Sequence, residues 1–209
     1  MSAMTLSTLY GINGVGKDTV AEKLRESVDQ RLIVTSMSRL SMYLLGIAKD
    51  LDVSGKLPPD AYKRLEQVPQ PEMIALENGP YKEMVAELAD GGDKALLLGH
   101  LVTALHLGGS INYLTDRTTP DWYIENNSSF VQLTAPAETI MQRRQRDAST
   151  GVRSRPVEFD QIIEHQELCN QEWERIESGL VTPSRGMHVI ENQDLDRAVA
   201  EVREIIDDK

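Results

Sequence analysis

The chain has 209 residues, enough for one compact domain with a small mobile insertion, and 40% of them are hydrophobic, which can supply a core. A formal charge of -11 argues against a general affinity for nucleic acid or anionic membrane, because the field of the whole molecule repels phosphate backbones; any anionic ligand must be met by a local basic site. The single cysteine, Cys169, can form neither an internal disulfide nor a cysteine metal cluster and reads as a small core residue.

Aromatic residues make up only 5% of the chain, so aliphatic packing must carry most of the burial, as it does where helices stack on a parallel sheet. Residues 6–10 are a short run bounded by glycine, and Val20, Ala21, Leu24 and Val28 then keep helical spacing. This reads strand, glycine loop, helix. Residues 32–35 predict a second strand, followed from Ser36 by a helix through Tyr43, Leu44 and Ile47. Between about residues 52 and 92, Pro58, Pro59, Pro69, Pro71 and Pro80 punctuate short helical pieces, and Tyr81, Met84, Val85 and Leu88 form one apolar stripe.

Residues 94–98 are a continuous apolar run, typical of a strand buried on both faces, and are expected to be the central strand. The most apolar segment, residues 95–107, is broken by His100 and His106 and is too short to cross a bilayer. Tyr113, Trp122 and Tyr123 lie in a polar stretch and serve either core packing or stacking on a base. Residues 130–133 predict a fourth strand, followed by a helix over 137–146 with an arginine-rich face. Residues 159–176 place Ile162, Cys169, Trp173 and Ile176 on one helical side. Residues 188–190 are the fifth strand; Asn192 or Asp194 then caps a helix whose stripe is Leu195, Ala198, Val199, Val202, Ile205 and Ile206.

Five strands alternating with helices predict an α/β fold with a five-stranded parallel sheet flanked by helices. Ligands of such sheets bind at the carboxyl ends of the strands, where Gly11, Ser36, Gly99, Thr134 and Asn192 all fall. Gly11, Gly16 and Lys17 satisfy the first part of the phosphate-loop pattern, with the strand before it and the helix after it that the pattern needs. Gly11, Asn13, Gly14, Val15 and Gly16 would wrap ATP phosphates with backbone N–H groups, aided by the helix N-terminus. Lys17 would sit on the β and γ phosphates as a mobile point charge. Asp18 stands where the ordinary pattern has a magnesium-binding hydroxyl. It is expected to turn outward and complement the helix dipole, leaving Thr19 to face the nucleotide and Mg2+.

Arg143, Arg144, Arg146, Arg153 and Arg155 lie within thirteen residues. Arginines on a closing lid suit phosphoryl transfer, because guanidinium forks hold phosphate oxygens bidentately and closure excludes water; a solvated helix face with local ion pairs is the other reading. Arg144, Arg153 and Arg155 are the candidates for stabilising the transferring group, with Lys17. His100 and Thr103 could line an acceptor pocket, and His100 equally reads as a hydrogen-bonded core residue. No partner histidine or cysteine has metal-ligand spacing.

Gly16, Lys17, Asp18 and Thr19 together resemble the loop variant of nucleoside monophosphate kinases of the adenylate kinase superfamily. The arginine cluster with Asp147, followed by Glu164, His165, Gln166 and Asn170, resembles the short lid and following helix of archaeal-type adenylate kinases, and residues 187–192 resemble their last strand. The resemblance implies a P-loop nucleotide kinase fold in one domain over residues 1–209, with a helical acceptor-binding region at about 36–92 and a lid at about 143–158. It implies transfer of the γ-phosphoryl group of Mg-ATP to a nucleoside monophosphate, AMP first. In this scheme Arg39 helps hold the acceptor, and Asn192 touches the adenine or caps the last helix. The spacing from Asp147 to Arg153 is longer than the family's lid. Where the family has a strand-end aspartate this chain has Leu98, Gly99 and His100, so magnesium would be held through waters and phosphates, or by an acid from elsewhere such as Asp116. A P-loop kinase for a non-nucleotide metabolite and a non-catalytic ATP-binding protein are the alternatives. A GTPase should carry an Asn-Lys-x-Asp signature, which the sequence lacks. With no basic segment before an apolar stretch at the N-terminus, a cytoplasmic protein is expected, with self-association left open.

Overall fold

The computed structural model describes residues 6–27, 32–90, 94–101, 103–107, 110–114, 119–149 and 158–207. In chain order the strands are β1 (Leu6–Tyr10), β2 (Leu32–Ser36), β3 (Lys94–Gly99), β4 (Thr103–Leu107), β5 (Ser110–Leu114), β6 (Ser129–Thr134) and β7 (Met187–Glu191). Five of them form one parallel sheet of order β2-β3-β1-β6-β7, while β4 and β5 pair antiparallel as a separate two-stranded sheet.

The parallel sheet agrees with the expectation in strand number and direction, with one correction. β1, not β3, is the central strand, and β3 lies between β2 and β1. β1 reads as less apolar because it buries Ser7 and Thr8. Their hydroxyls are satisfied inside: Ser7 Oγ meets Ser128 Oγ at 3.0 Å and accepts from Ser129 Oγ at 2.8 Å, and Thr8 Oγ1 donates to Asn127 Oδ1 at 2.6 Å. An unpaired hydroxyl in that position would cost about 1–3 kcal/mol, so the polar core of β1 depends on the residues just before β6. All five positions of β1 are buried, which requires cover on both faces of the sheet.

The helices supply that cover. α1 (Lys17–Ser27) buries Val20, Ala21 and Leu24 and packs beside the terminal helix, α9 (Leu195–Asp207), which buries Ala198, Val202 and Ile206. α2 (Met37–Leu44) is capped by Ser36 Oγ, which accepts from the Arg39 amide at 3.1 Å. The sequence pattern carries this helix through Ile47, but it stops at Leu44. Gly46 turns the chain at φ +67°, and the amides of Ile47 and Ala48 both return to Met42 O, so Ile47 joins a small satellite core with Met42, Ala48 and Ala61.

Short helices α3 (Ala61–Glu66), α4 (Gln70–Asn78) and α5 (Pro80–Asp90) follow, in keeping with the prolines, and α5 buries Tyr81, Val85 and Leu88 against the core. After the short α6 (Asp121–Glu125), α7 (Ala137–Ser149) carries the arginines, and α8 (Phe159–Glu177) buries Ile162, His165, Cys169, Trp173 and Ile176. Tyr123 is buried among Phe130, at 5.9 Å between ring centroids, and Trp122, at 5.8 Å, which is core packing. Asp194 Oδ1 accepts from the Arg197 amide at 3.0 Å and caps α9, while the Asn192 side chain bonds elsewhere. Among the described residues no helix is long and apolar enough to cross a membrane.

Candidate active site

The chain leaves β1 for the sheet's β2 edge, returns through β3 beside β1, and then crosses to β6 on the other side. The strand order therefore reverses at β1, and its carboxyl end is the place where an open parallel sheet leaves a crevice. Residues 11–16 occupy that place. Gly11, Gly14 and Gly16 have φ of +155°, +89° and +101°. A Cβ on Gly11 would come within 2.6 Å of Val15 Cγ1 and 2.9 Å of Leu133 O, and one on Gly16 within 2.6 Å of Asn192 Nδ2. Only glycine fits these positions, for backbone conformation and for space.

The loop is braced from outside by α7 and by the turn after β7. Arg143 Nη1 donates to Val15 O at 2.8 Å and its Nη2 to Asn192 O at 3.0 Å, while Asn192 Nδ2 donates to Val15 O at 2.7 Å. Arg144, only 6% exposed, donates from Nε to Asn13 O at 2.9 Å. The guanidiniums thus hold the loop's outward carbonyls. Partial burial pulls the Arg143 guanidinium below its ordinary pKa, though an arginine starts so high that it stays charged.

Inside the loop, the amides of Asn13, Gly14, Gly16 and Thr19 donate to no protein acceptor among the described residues. Lys17 opens α1, is 8% exposed, and donates from Nζ to Gly11 O, with Ile12 O at 3.4 Å. Free amides, a helix N-terminus and one ammonium group at a sheet's switch point match the needs of a polyphosphate. Asp18 and Thr19 are both exposed in the first turn of α1. Among the described residues no three His, Cys, Asp or Glu side chains group as a metal site. Asn192 Nδ2 is the side-chain atom nearest Gly16, and its Oδ1 is buried with no hydrogen-bond partner among the described residues.

The other site residues read from the sequence are more scattered. Arg39 is 3% exposed and donates from Nε to Asp50 O at 2.7 Å and from Nη2 to Gly55 O at 3.0 Å, holding the loop after α2; its Nη1 is buried without a partner. His100 is half-buried just beyond β3. Thr103 begins β4, and its side chain lies outside the described residues, as do Arg153, Arg155 and Asp116.

Sequence reasoning missed a cavity of about 300 Å³ that begins at Gly11 and Ile12 and runs between the ends of β1 and β6 and α8. Gln132, Gln166 and Asn170 are in its wall, together with Cys169. The available signal was Gln132 itself, a polar residue within an apolar run that the parallel sheet had to bury.

With this geometry in view, solved structures are informative. A shikimate kinase from Bacteroides thetaiotaomicron superposes with a TM-score of 0.58 at 12% identity, covering 98% of this chain and 99% of its own. A shikimate kinase from Acinetobacter baumannii in complex with shikimate gives 0.54 at 14% identity, covering 98% and 94%. The chain therefore has the P-loop kinase fold, end to end. No protein-family model matches it, and no curated protein matches its sequence.

Proposed function

We propose that the protein is an ATP-dependent phosphotransferase, moving the γ-phosphoryl group of Mg-ATP to a small acceptor, with a nucleoside monophosphate, AMP first, as the acceptor. The observation that carries this reading is the loop at the end of β1, with three glycines at positive φ, unclaimed amides and Lys17 at the head of a helix. A plain strand-to-helix turn needs none of these together.

The loop amides and the α1 N-terminus hold the β and γ phosphates, and Lys17 leaves its carbonyl partners to neutralise the charge that builds on the bridging oxygen. An acceptor oxygen bonds to the γ phosphorus as the bond to the bridging oxygen breaks, and ADP departs. The Thr19 hydroxyl would ligate magnesium, which when bound would offset the charge of the phosphate oxygens. Asp18, exposed one residue earlier, complements the helix N-terminus instead. Arg144 steadies the loop through Asn13, and with Arg153 and Arg155 supplies the positive charge opposite the transferring group. Asn192 braces the loop through Val15 O, and contact with the donor base would have to come through its Oδ1, which has no protein partner among the described residues. Arg39, His100 and Thr103 keep the acceptor-holding roles that the sequence implies.

A second reading, phosphorylation of a non-nucleotide metabolite, is favoured by the likeness along nearly the whole chain to a kinase solved with shikimate. A coupled ADP-release assay over AMP, CMP, GMP, UMP, their deoxy forms and small hydroxy acids and alcohols separates the two. Turnover with a monophosphate supports the first, and turnover confined to hydroxy compounds the second. ATP binding without transfer to any acceptor would overturn both. Lys17→Ala is expected to abolish whichever transfer is found.

A further inference from the structure

The cavity beside the phosphate loop contains three carboxamides to which the sequence patterns assign no role. Gln132 sits in β6, 5% exposed, where Phe130, Val131 and Leu133 are all buried, and an aliphatic residue would pack there without the cost of burying an amide. Its Nε2 donates to Asn170 Oδ1 at 3.1 Å. This bond ties the two groups together and leaves the Gln132 carbonyl oxygen, an acceptor, and the amide nitrogen of the exposed Asn170, a donor, unused by the protein among the described residues. One helical turn before Asn170, Gln166 Nε2 donates to Ala135 O at 2.9 Å, which ties α8 to the end of β6 and leaves its oxygen unclaimed.

The rest of the wall is mainly apolar, with Ile12, Leu101 and Leu133, and its one carboxylate, Glu167, is exposed. The cavity starts at Gly11 and Ile12, where a γ-phosphoryl group would leave the loop. A mainly apolar hollow of about 300 Å³ with a few fixed polar groups is the usual form of a small-molecule site.

We infer that Gln132, Gln166 and Asn170 are positioning residues for the phosphate acceptor, binding an uncharged part of it that offers both a hydrogen-bond donor and an acceptor. This inference rests on the phosphotransferase reading and deepens it. Such a pairing occurs on the edge of a nucleobase and on the hydroxyls of a polyol acid, and the acceptor screen tells these sources apart.

The test uses two variants chosen so that the fold survives. Asn170→Asp keeps an oxygen that accepts from Gln132 and exchanges the donor for a charged carboxylate; Gln132→Met fills a similar volume and removes both the carbonyl oxygen and the amide that donates to Asn170. Melting temperature and ATP Kd are measured alongside acceptor kinetics. Each variant should lose about ten-fold or more in kcat/KM for the acceptor, mostly through KM, with ATP Kd changed by less than about two-fold, because a site built to hydrogen-bond its ligand loses affinity when one partner is removed. Acceptor kinetics like wild type would overturn the inference, as would a parallel loss of ATP affinity and thermal stability. Should wild type bind no ATP, the kinase reading fails first. Should it bind ATP yet transfer to no acceptor, both phosphotransferase readings fail and the inference, which rests on them, fails with them.

Discussion

A methyl group on Gly16 would meet the amide nitrogen of Asn192 at 2.6 Å, in a residue whose φ is +101°. Asn192 cannot simply move away, because that nitrogen donates to Val15 O and the neighbouring carbonyl accepts from Arg143. Gly16→Ala is therefore expected to cost about 1–2 kcal/mol from the left-handed backbone alone, and to weaken ATP binding by reshaping the loop. Thermal melting and ATP titration of the purified variant check both effects. At this scale the sequence was most informative for Gly11, Gly16 and Lys17, since spacing and flanking elements agreed. It was least so for Asn192, where a side chain reaching across the fold to Val15 replaced the local capping that the position suggested, and for Gln132, whose partner lies 38 residues away.

Among the elements, the loop after α2 is held by side-chain bonds, those of Arg39 and those of Asp52. Asp52 accepts from the Val34 amide at 3.0 Å, from the Ser54 amide at 2.8 Å and hydroxyl at 2.6 Å, and from Arg25 at 2.7 Å, joining β2, the loop and α1. Partial burial works to raise the carboxyl's pKa, but the bonds from Ser54 and Val34 and the Arg25 charge outweigh it and hold it below the ordinary value. Asp52→Asn should lose about 1–2 kcal/mol of stability, a moderate figure because the carboxylate is partly solvated. Urea unfolding at pH 7 measures it. The five strands of the parallel sheet were easy to place because each is a short run between breaks. The β4–β5 hairpin was not seen in the sequence, although Gly108 and Gly109 separate two strand-like runs, because the expectation of strand and helix alternation left no place for it. The end of α2 was misjudged because apolar spacing continues past Gly46 into a separate cluster.

For the molecule as a whole, the pH limits follow from groups in different layers. Asp52, Glu172 and Asp207 all have lowered carboxyl pKa values. For Glu172 partial burial opposes the shift and bonds from Arg175 and Thr119 prevail, while for Asp207 the bond from Lys94 leads. A lowered folded value means that stability is fully present above the unfolded range near pH 4 and is lost as pH falls through the folded values. Burial pushes the Tyr123 hydroxyl up to about 12 and raises Tyr10 as well. Stability should therefore also fall from about pH 10 upward, where the unfolded tyrosines ionise and the folded ones do not. Melting temperature against pH should show a plateau between these limits, with a shallower acid side in Asp52→Asn.

The fold brings the strand-order reversal, three glycines at positive φ and Lys17 to the carboxyl end of the central strand, and the claim that this place holds a nucleoside triphosphate is tested most directly by calorimetric titration of Mg-ATP into wild type and Lys17→Ala. Saturable one-site binding by wild type, weakened about ten-fold or more in the variant, is the predicted result for a charge-assisted contact. Equal affinity in the two proteins, or no heat of binding in wild type, would contradict it.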